Sequence, residues 1–233
     1  MNQLQKLKQE LLKLADTKRA ESSTRFFKTG KGEYSEGDVF IGIRVPVLRE
    51  VAKEFKDMNR KSVEKLLKNE IHEYRFIALI ILTIQFNEGN KEEKKEITKF
   101  YLEHTRQINN WDLVDISAPQ ILGTYLLTKN KAILQKLVVS KLLWERRIAI
   151  VSSHAFIKKG IFDVTITLAE KLLNDKEDLM HKATGWMLRE MGKRNKKTLV
   201  QFLDKYSKVM PRTMLRYSIE HFSQEERKHY MKK

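Results

Sequence analysis

The chain has 233 residues, with 46 Lys or Arg against 30 Asp or Glu, a formal charge of +16. That excess points to a polyanion or an anionic surface as partner and carries no information about fold. Cysteine is absent, which excludes disulfides and thiolate metal sites and fits a reducing cytoplasm; the six histidines show no close metal-ligand pairing, so neither a metal nor a cofactor is expected.

The stretch MNQLQKLKQELLKLAD mixes charges throughout, which fits neither a signal peptide nor a transit peptide. Within it Leu4, Leu7, Leu11 and Leu14 form one stripe with lysines opposite, the pattern of an amphipathic helix over Gln3–Ala15. KTGKGEYSEGDVFIGIRVP follows, with Gly30, Gly32, Gly37 and Gly42, and reads as an ordered loop inserted over about residues 29–45. Its Gly-x-Gly lacks the spacing of a phosphate-binding loop. Pro46 sits where a first helical turn tolerates it and opens VPVLREVAKEFKD. Helical periodicity then continues through KSVEKLLKNE, HEYRFIALIILTIQF, KEEKKEITKFYLEHTRQ, WDLVDISAPQILGTYLL, KLLWERRIAIVSSHAFIKK, DVTITLAEKLL, EDLMHKATGWMLREMGKR, KKTLVQFLDKYSK and RTMLRYSIEHF. The longest apolar run, FIALIILTIQF, is far too short to span a bilayer. No Pro/Ser-rich linker interrupts the chain, so residues 1–233 read as a single all-α domain.

A weak repeat underlies these helices. Strongly apolar segments carry a small residue at Ala78, Ser117, Ala149 and Ala183, in steps of 39, 32 and 34 residues, and more charged amphipathic segments lie between them. A solenoid of helix pairs needs this alternation, because the inner helix of each pair is covered on both sides. The period fits HEAT-like or tetratricopeptide arrays, and residues near the starts of the inner helices would line the concave face.

Those starts are unusual. One carries Trp111 and Asp115, the next Trp144, Arg146 and Arg147, and the third Lys182, Trp186 and Arg189; together they hold all three tryptophans. Trp111 and Asp115 are four residues apart and so share a helical face. Each feature also has a plain explanation. A Trp on an apolar helix is commonly core. Asp112 fits a first-turn carboxylate facing the helix dipole. Asp115, between Val114 and Ile116, is costly to leave unpaired, and a buried ion pair with Arg146 or Arg147 would account for it. The basic runs Lys158–Gly160 and Gly192–Lys197 fit solvated surface, but they fall in the same units as the Trp/Asp set.

NNWDLVD, LWERRIAI and TGWMLREMGK, in that order and spacing, together with FIGIRVPVLRE, resemble the DNA alkylation-repair glycosylases built from HEAT-like repeats (the AlkD type), over nearly the whole chain from about Ala20. The resemblance implies a right-handed, C-shaped HEAT-like solenoid with a basic concave face, acting as a monomer on double-stranded DNA that contains alkylated purines. No membrane and no obligate protein partner are implied. It assigns functional roles to Trp111, Asp115 and Trp186, and places Arg147 and Arg189 on DNA; Arg146, Lys182, Lys193 and Arg194 join them as basic neighbours. Phe26 stands where the best-known branch of that family has a tyrosine in its active-site cleft, and the glycine-bearing loop is longer here.

The chemistry fits these residue types. A purine alkylated at N3 or N7 is cationic and leaves without protonation, so the demand falls on C1′, which becomes oxocarbenium-like. A carboxylate such as Asp115 stabilises that charge and orients water. Indole faces such as those of Trp111 and Trp186 favour a cation and pack on sugar C–H groups, while arginines hold phosphates without reading sequence. The resemblance further implies that the lesion is gripped by its backbone rather than enclosed in a base-flipping pocket. The alternative from another class is a catalytically silent helical-repeat module that binds branched or bent DNA.

Overall fold

The computed structural model describes residues 2–232, which are almost wholly helical. Among them the only β-type pairing is an isolated parallel bridge between Val39 and Ile71. The chain divides into two compact units, Met1–Ser117 and Ala118–Lys233.

The first unit contains α1 (Gln3–Lys13), α2 (Thr17–Phe26), α3 (Val45–Glu54), α4 (Arg60–Leu67), α5 (His72–Glu88), α6 (Lys91–Glu103), a short 3-10 turn (Thr105–Gln107) and α7 (Trp111–Ser117). Side chains start several of these. Asn2 with Gln5 and Asn90 with Glu93 form capping boxes, and Asp16 and Asn59 accept from the first turns of α2 and α4. Helix α5 packs against α3, α4, α6 and α7. That explains a helix apolar on every side, with Tyr74, Phe76 through Leu82 and Phe86 buried.

The loop expected over about residues 29–45 is non-helical up to Arg44, since α3 already begins at Val45, and it is ordered from α5. Glu73 is 4% exposed, and its carboxylate accepts the backbone N–H groups of Ile41, Gly42 and Ile43, at 2.7 Å for Gly42. Gly42 has φ of +80°, and a Cβ there would lie 2.1 Å from the carbonyl oxygen of Asp16. No other residue type fits that contact.

The second unit contains a π-helical turn (Pro119–Gly123), α8 (Thr124–Leu126), α9 (Ala132–Leu137), α10 (Leu143–Lys158), α11 (Asp163–Lys171), α12 (Asp178–Arg194), α13 (Lys196–Tyr206), α14 (Arg212–Ser218) and α15 (Gln224–Met231). Helix α10 is covered by α9, α11, α12 and the π turn, and α12 by α10, α11, α13 and α14. The four small positions of the repeat, Ala78, Ser117, Ala149 and Ala183, are all buried, at 0–1% exposure, on α5, α7, α10 and α12.

The segment WDLVDISAPQILGTYLL, expected as one helix, is divided. Pro119 lacks an N–H, and the chain takes the wider turn in which Gly123 N–H donates to the Ala118 carbonyl at 2.8 Å.

Gly185 sets the approach of α14 to α12. A Cβ there would lie 2.5 Å from Tyr217 Cβ and 2.6 Å from the Met214 carbonyl oxygen. Gly185→Ala should therefore lower stability by about 1–3 kcal/mol, read by urea denaturation. A loss inside about 0.5 kcal/mol, the range of neutral surface changes, would contradict this helix approach.

Candidate nucleic-acid interface

In the first unit, the start of α7 is held by a buried polar network. Asn110 is fully buried; its Oδ1 accepts from the Trp111 N–H at 2.8 Å, and its Nδ2 donates to Ser35 Oγ at 2.7 Å and Asp38 Oδ2 at 3.0 Å. Asp112 does more than face the helix dipole: its Oδ2 lies 2.8 Å from His72 Nε2. His72 Nδ1 lies 3.3 Å from Asp38 Oδ2, and Arg75 Nη2 donates to Asp38 Oδ1 at 2.5 Å. Two carboxylates thus converge on one imidazole, with the Arg75 guanidinium beside Asp38. Burial alone would lower the pKa of His72, but the hydrogen bonds to Asp112 and Asp38 prevail and raise it above the ordinary 6.5. Burial would raise Asp38, but the His72 hydrogen bond and the Arg75 charge bring it down to about 2.

A file of rings leads from this network towards solvent. Phe40 stacks on His72 with centroids 4.6 Å apart, Phe27 on Phe40 at 4.9 Å, and Trp111 on Phe27 at 5.4 Å with planes 16° apart. Phe26 meets Trp111 edge-on at 6.1 Å and is 66% exposed. Of the residues singled out from sequence, Phe26 and Trp111 are thereby brought together. Asp115 lies half-buried one turn beyond Trp111. Its charge reaches the buried hydroxyl of Tyr101, which is raised above its ordinary value first by burial and then by Asp115, while it bonds Ser117 Oγ at 3.0 Å.

In the second unit, Trp186 is half-buried on α12, 6.0 Å from the ring of His154 on α10. Burial, then the charge of Lys158, lowers the pKa of His154; Arg194 and Lys193 act in the same direction against Glu190. Three cationic side chains, Lys158, Lys193 and Arg194, thus act on His154 beside Trp186. Arg194 and Lys193 are exposed, and Lys193 pairs with Glu190 at 2.8 Å. Arg189 pairs with Glu220 and lies 3.6 Å from Glu190, and Lys182 pairs with Asp178 at 2.7 Å. Arg147 is 5% exposed, and its Nη1 donates to the Leu179 carbonyl at 2.8 Å. Arg146 is bound to Asp175, at 2.7 Å through Nε, and to the carbonyls of Ser140 and Lys141. Trp144 is half-buried.

Sequence reasoning missed Asp38, His72, Phe27, Phe40 and His154. Their partners lie 34 or more residues away in the case of His72 with Asp38 and Asp112. No local spacing announces such a contact; the one available signal was a histidine and a carboxylate, His72-Glu73, opening an otherwise apolar helix. No group of three or more His, Cys, Asp or Glu able to hold a metal occurs among the described residues.

These features define an all-α protein that carries aromatic and carboxylate groups in one unit and Trp186 among paired basic side chains in the other. The chain belongs to the DNA alkylation repair enzyme family, whose model matches residues 7–222. A solved structure described as a "predicted DNA alkylation repair enzyme" from Enterococcus faecalis is similar in fold, with a TM-score of 0.71 and 18% identity, covering 90% of this chain and 97% of that one. No curated protein matches. No helix of the described residues is long and apolar enough to cross a membrane.

The His72 network ties stability of the first unit to pH. With its folded pKa raised, His72 contributes fully below 6.5 and loses that contribution as pH rises through the elevated value. Asp38 contributes above its ordinary 3.8 and loses its contribution as pH falls towards about 2. Thermal midpoints of the wild type should thus fall more steeply on the alkaline side of 6.5 than those of His72→Gln. Parallel curves would show that the imidazole is not charged in the folded state.

Proposed function

We propose that this protein is a DNA glycosylase of base excision repair that hydrolyses the N-glycosidic bond of cationic N3- or N7-alkylated purines in duplex DNA, without an enclosing pocket for the lesion. One observation carries this: Trp111 and Asp115 stand one turn apart on α7, both half-buried, on a helix whose first residues are locked by Asn110 and Asp112. One face of the Trp111 indole is covered by Phe27, which fixes the ring that would pack on deoxyribose. The membership in a DNA alkylation repair family supplies the substrate class.

In this mechanism the alkylated base departs with the electrons of its glycosidic bond and becomes neutral. The sugar takes the positive charge. Asp115 stabilises that charge at C1′ and orients the water that attacks it, and the proton released by that water passes to solvent. Trp111 and Trp186 hold the sugar–phosphate chain, and Arg189, Lys193 and Arg194 attract phosphates, with Arg147 adding its charge from beneath the surface, where the Leu179 carbonyl holds it. The carboxylates that pair with Arg189, Lys182 and Lys193 are no obstacle, since surface pairs contribute about 0–1 kcal/mol and a phosphate displaces them. Arg146, bound to Asp175 and two carbonyls, serves to hold the second unit's frame. Phe26 contributes an exposed ring beside Trp111.

The decisive assay is single-turnover base release from oligonucleotides carrying N7-methylguanine or uracil. Asp115→Asn should bind methylated duplex as well as the wild type and lose release by about 10²-fold or more. Trp111→Ala and Trp186→Ala should lower both. Uracil, a neutral base that would have to depart as an anion, should be a poor substrate. Equal rates on the two bases, or full activity of Asp115→Asn, would exclude charge-driven excision; duplex binding with no release from any alkylated purine would leave the silent DNA-binding module.

Duplex affinity should also fall with salt at a log–log slope of about −0.9 per phosphate contact. Removing Arg194 or Lys193 should weaken binding to damaged and undamaged DNA alike. Affinity insensitive to salt would contradict an electrostatic interface.

A further inference from the structure

The first unit contains a cavity of about 250 Å³ beside the ring file. Its interior is formed by Phe27, Phe40, Phe76 and His72, and its mouth by Arg19, Ser23 and Arg44. Trp111 and Asp115 do not line it; Phe27 is the wall between the cavity and the Trp111 indole. The volume is just below the range of drug-sized sites, which suits one ring system rather than several.

The charge at this cavity is that of its mouth. Two carboxylates, Glu73 and Asp112, also line it, but neither offers a free negative charge. Glu73 accepts three backbone N–H groups, and Asp112 is bonded to His72 at 2.8 Å. At the mouth Arg44 is exposed, and Arg19 is shared only with Asp16 at 3.3 Å on an exposed helix. Ser22 turns its hydroxyl back to the Lys18 carbonyl, so the donor left at this edge is Ser23. Two guanidiniums and a hydroxyl over an aromatic interior match an anion attached to a flat ring.

We propose that this cavity binds a single unstacked nucleotide of a DNA strand, its phosphate at Arg44 and Arg19 and its base inside against the edges of the Phe27, Phe40 and His72 rings, whose faces already pack on one another. The proposal rests on DNA being the partner of this chain. The nucleotide held here is not the one undergoing excision, because Asp115 and Trp111 are outside the cavity. It is an undamaged nucleotide that has left the stack, whether bulged or displaced, and a nucleotide already unpaired pays the least to enter. The base gains ring contact without sequence reading, so any of the four bases is accepted.

The test uses DNA without a lesion: a duplex with one bulged 2-aminopurine nucleotide, and the same duplex fully paired. The wild type should bind the bulged duplex about tenfold more tightly, within the range that one base–aromatic contact supplies, and 2-aminopurine emission should change on binding. Ser23→Phe, which fills the mouth, should abolish the preference and the emission change while binding to paired duplex stays the same. Arg44→Gln, at an exposed position where folding is not at risk, should reduce the preference several-fold. Equal affinity of the wild type for both duplexes overturns the proposal, as does a preference unchanged in both variants. Failure here leaves base release from N7-methylguanine intact, and an enzyme inactive on that lesion can still show the bulge preference. Absence of binding to either duplex overturns both.

Discussion

The first unit depends on one buried imidazole. His72 sits between Asp38 from the loop and Asp112 from α7, so three separate segments converge on a single side chain. With Arg75 completing the set, two carboxylates, an imidazole and a guanidinium share one largely buried region. Removing one member would strand its partner's charge, which costs far more than the net worth of the intact cluster. The same imidazole bears the rings of Phe40 and Phe27 and, through Phe27, that of Trp111. Both the electrostatic network and the aromatic file therefore fix the residue that faces DNA in the proposed function.

The second unit solves the same problem with different means. Its basic groups near Trp186 are held by pairs on the surface rather than by a buried cluster, as Lys193 with Glu190 illustrates. Such cations remain free to exchange a carboxylate for a phosphate. The two units thus divide into a preorganised part, where geometry is rigid, and an adaptable part, where charge is available. The proposed chemistry depends on one carboxylate at one carbon, and for it rigidity belongs where Asp115 is.

Much of the fold was legible in the sequence where side chains are buried. Helices α5, α10 and α12 announce themselves because neighbours cover them, which demands apolar residues on nearly every face. Helices α2 and α15 were not legible, since neither buries any of its own residues and both lack an apolar stripe. Only their caps, Asp16 and Ser223, mark them. The π turn escaped because its cause is partly tertiary: Gly123 lies so close to α10 that a Cβ would stand 2.4 Å from the Ser152 carbonyl oxygen. Trp111 and Asp115 were legible as a pair because four residues make one helical turn. Asp38 and His72 were not, because a contact across 34 residues leaves no periodic trace.

The carboxylate of Glu73 gives the loop ahead of α3 an unusual kinetic character. Amides in irregular surface segments ordinarily trade their protons with solvent through small local openings. Those of Ile41, Gly42 and Ile43 donate instead to a buried acceptor on the most enclosed helix of the unit. Their release requires the Glu73 carboxylate to leave its buried place in the first turn of α5, an opening that exposes a charge as well as three amides. Their exchange is therefore tied to the start of a core helix rather than to the loop that carries them.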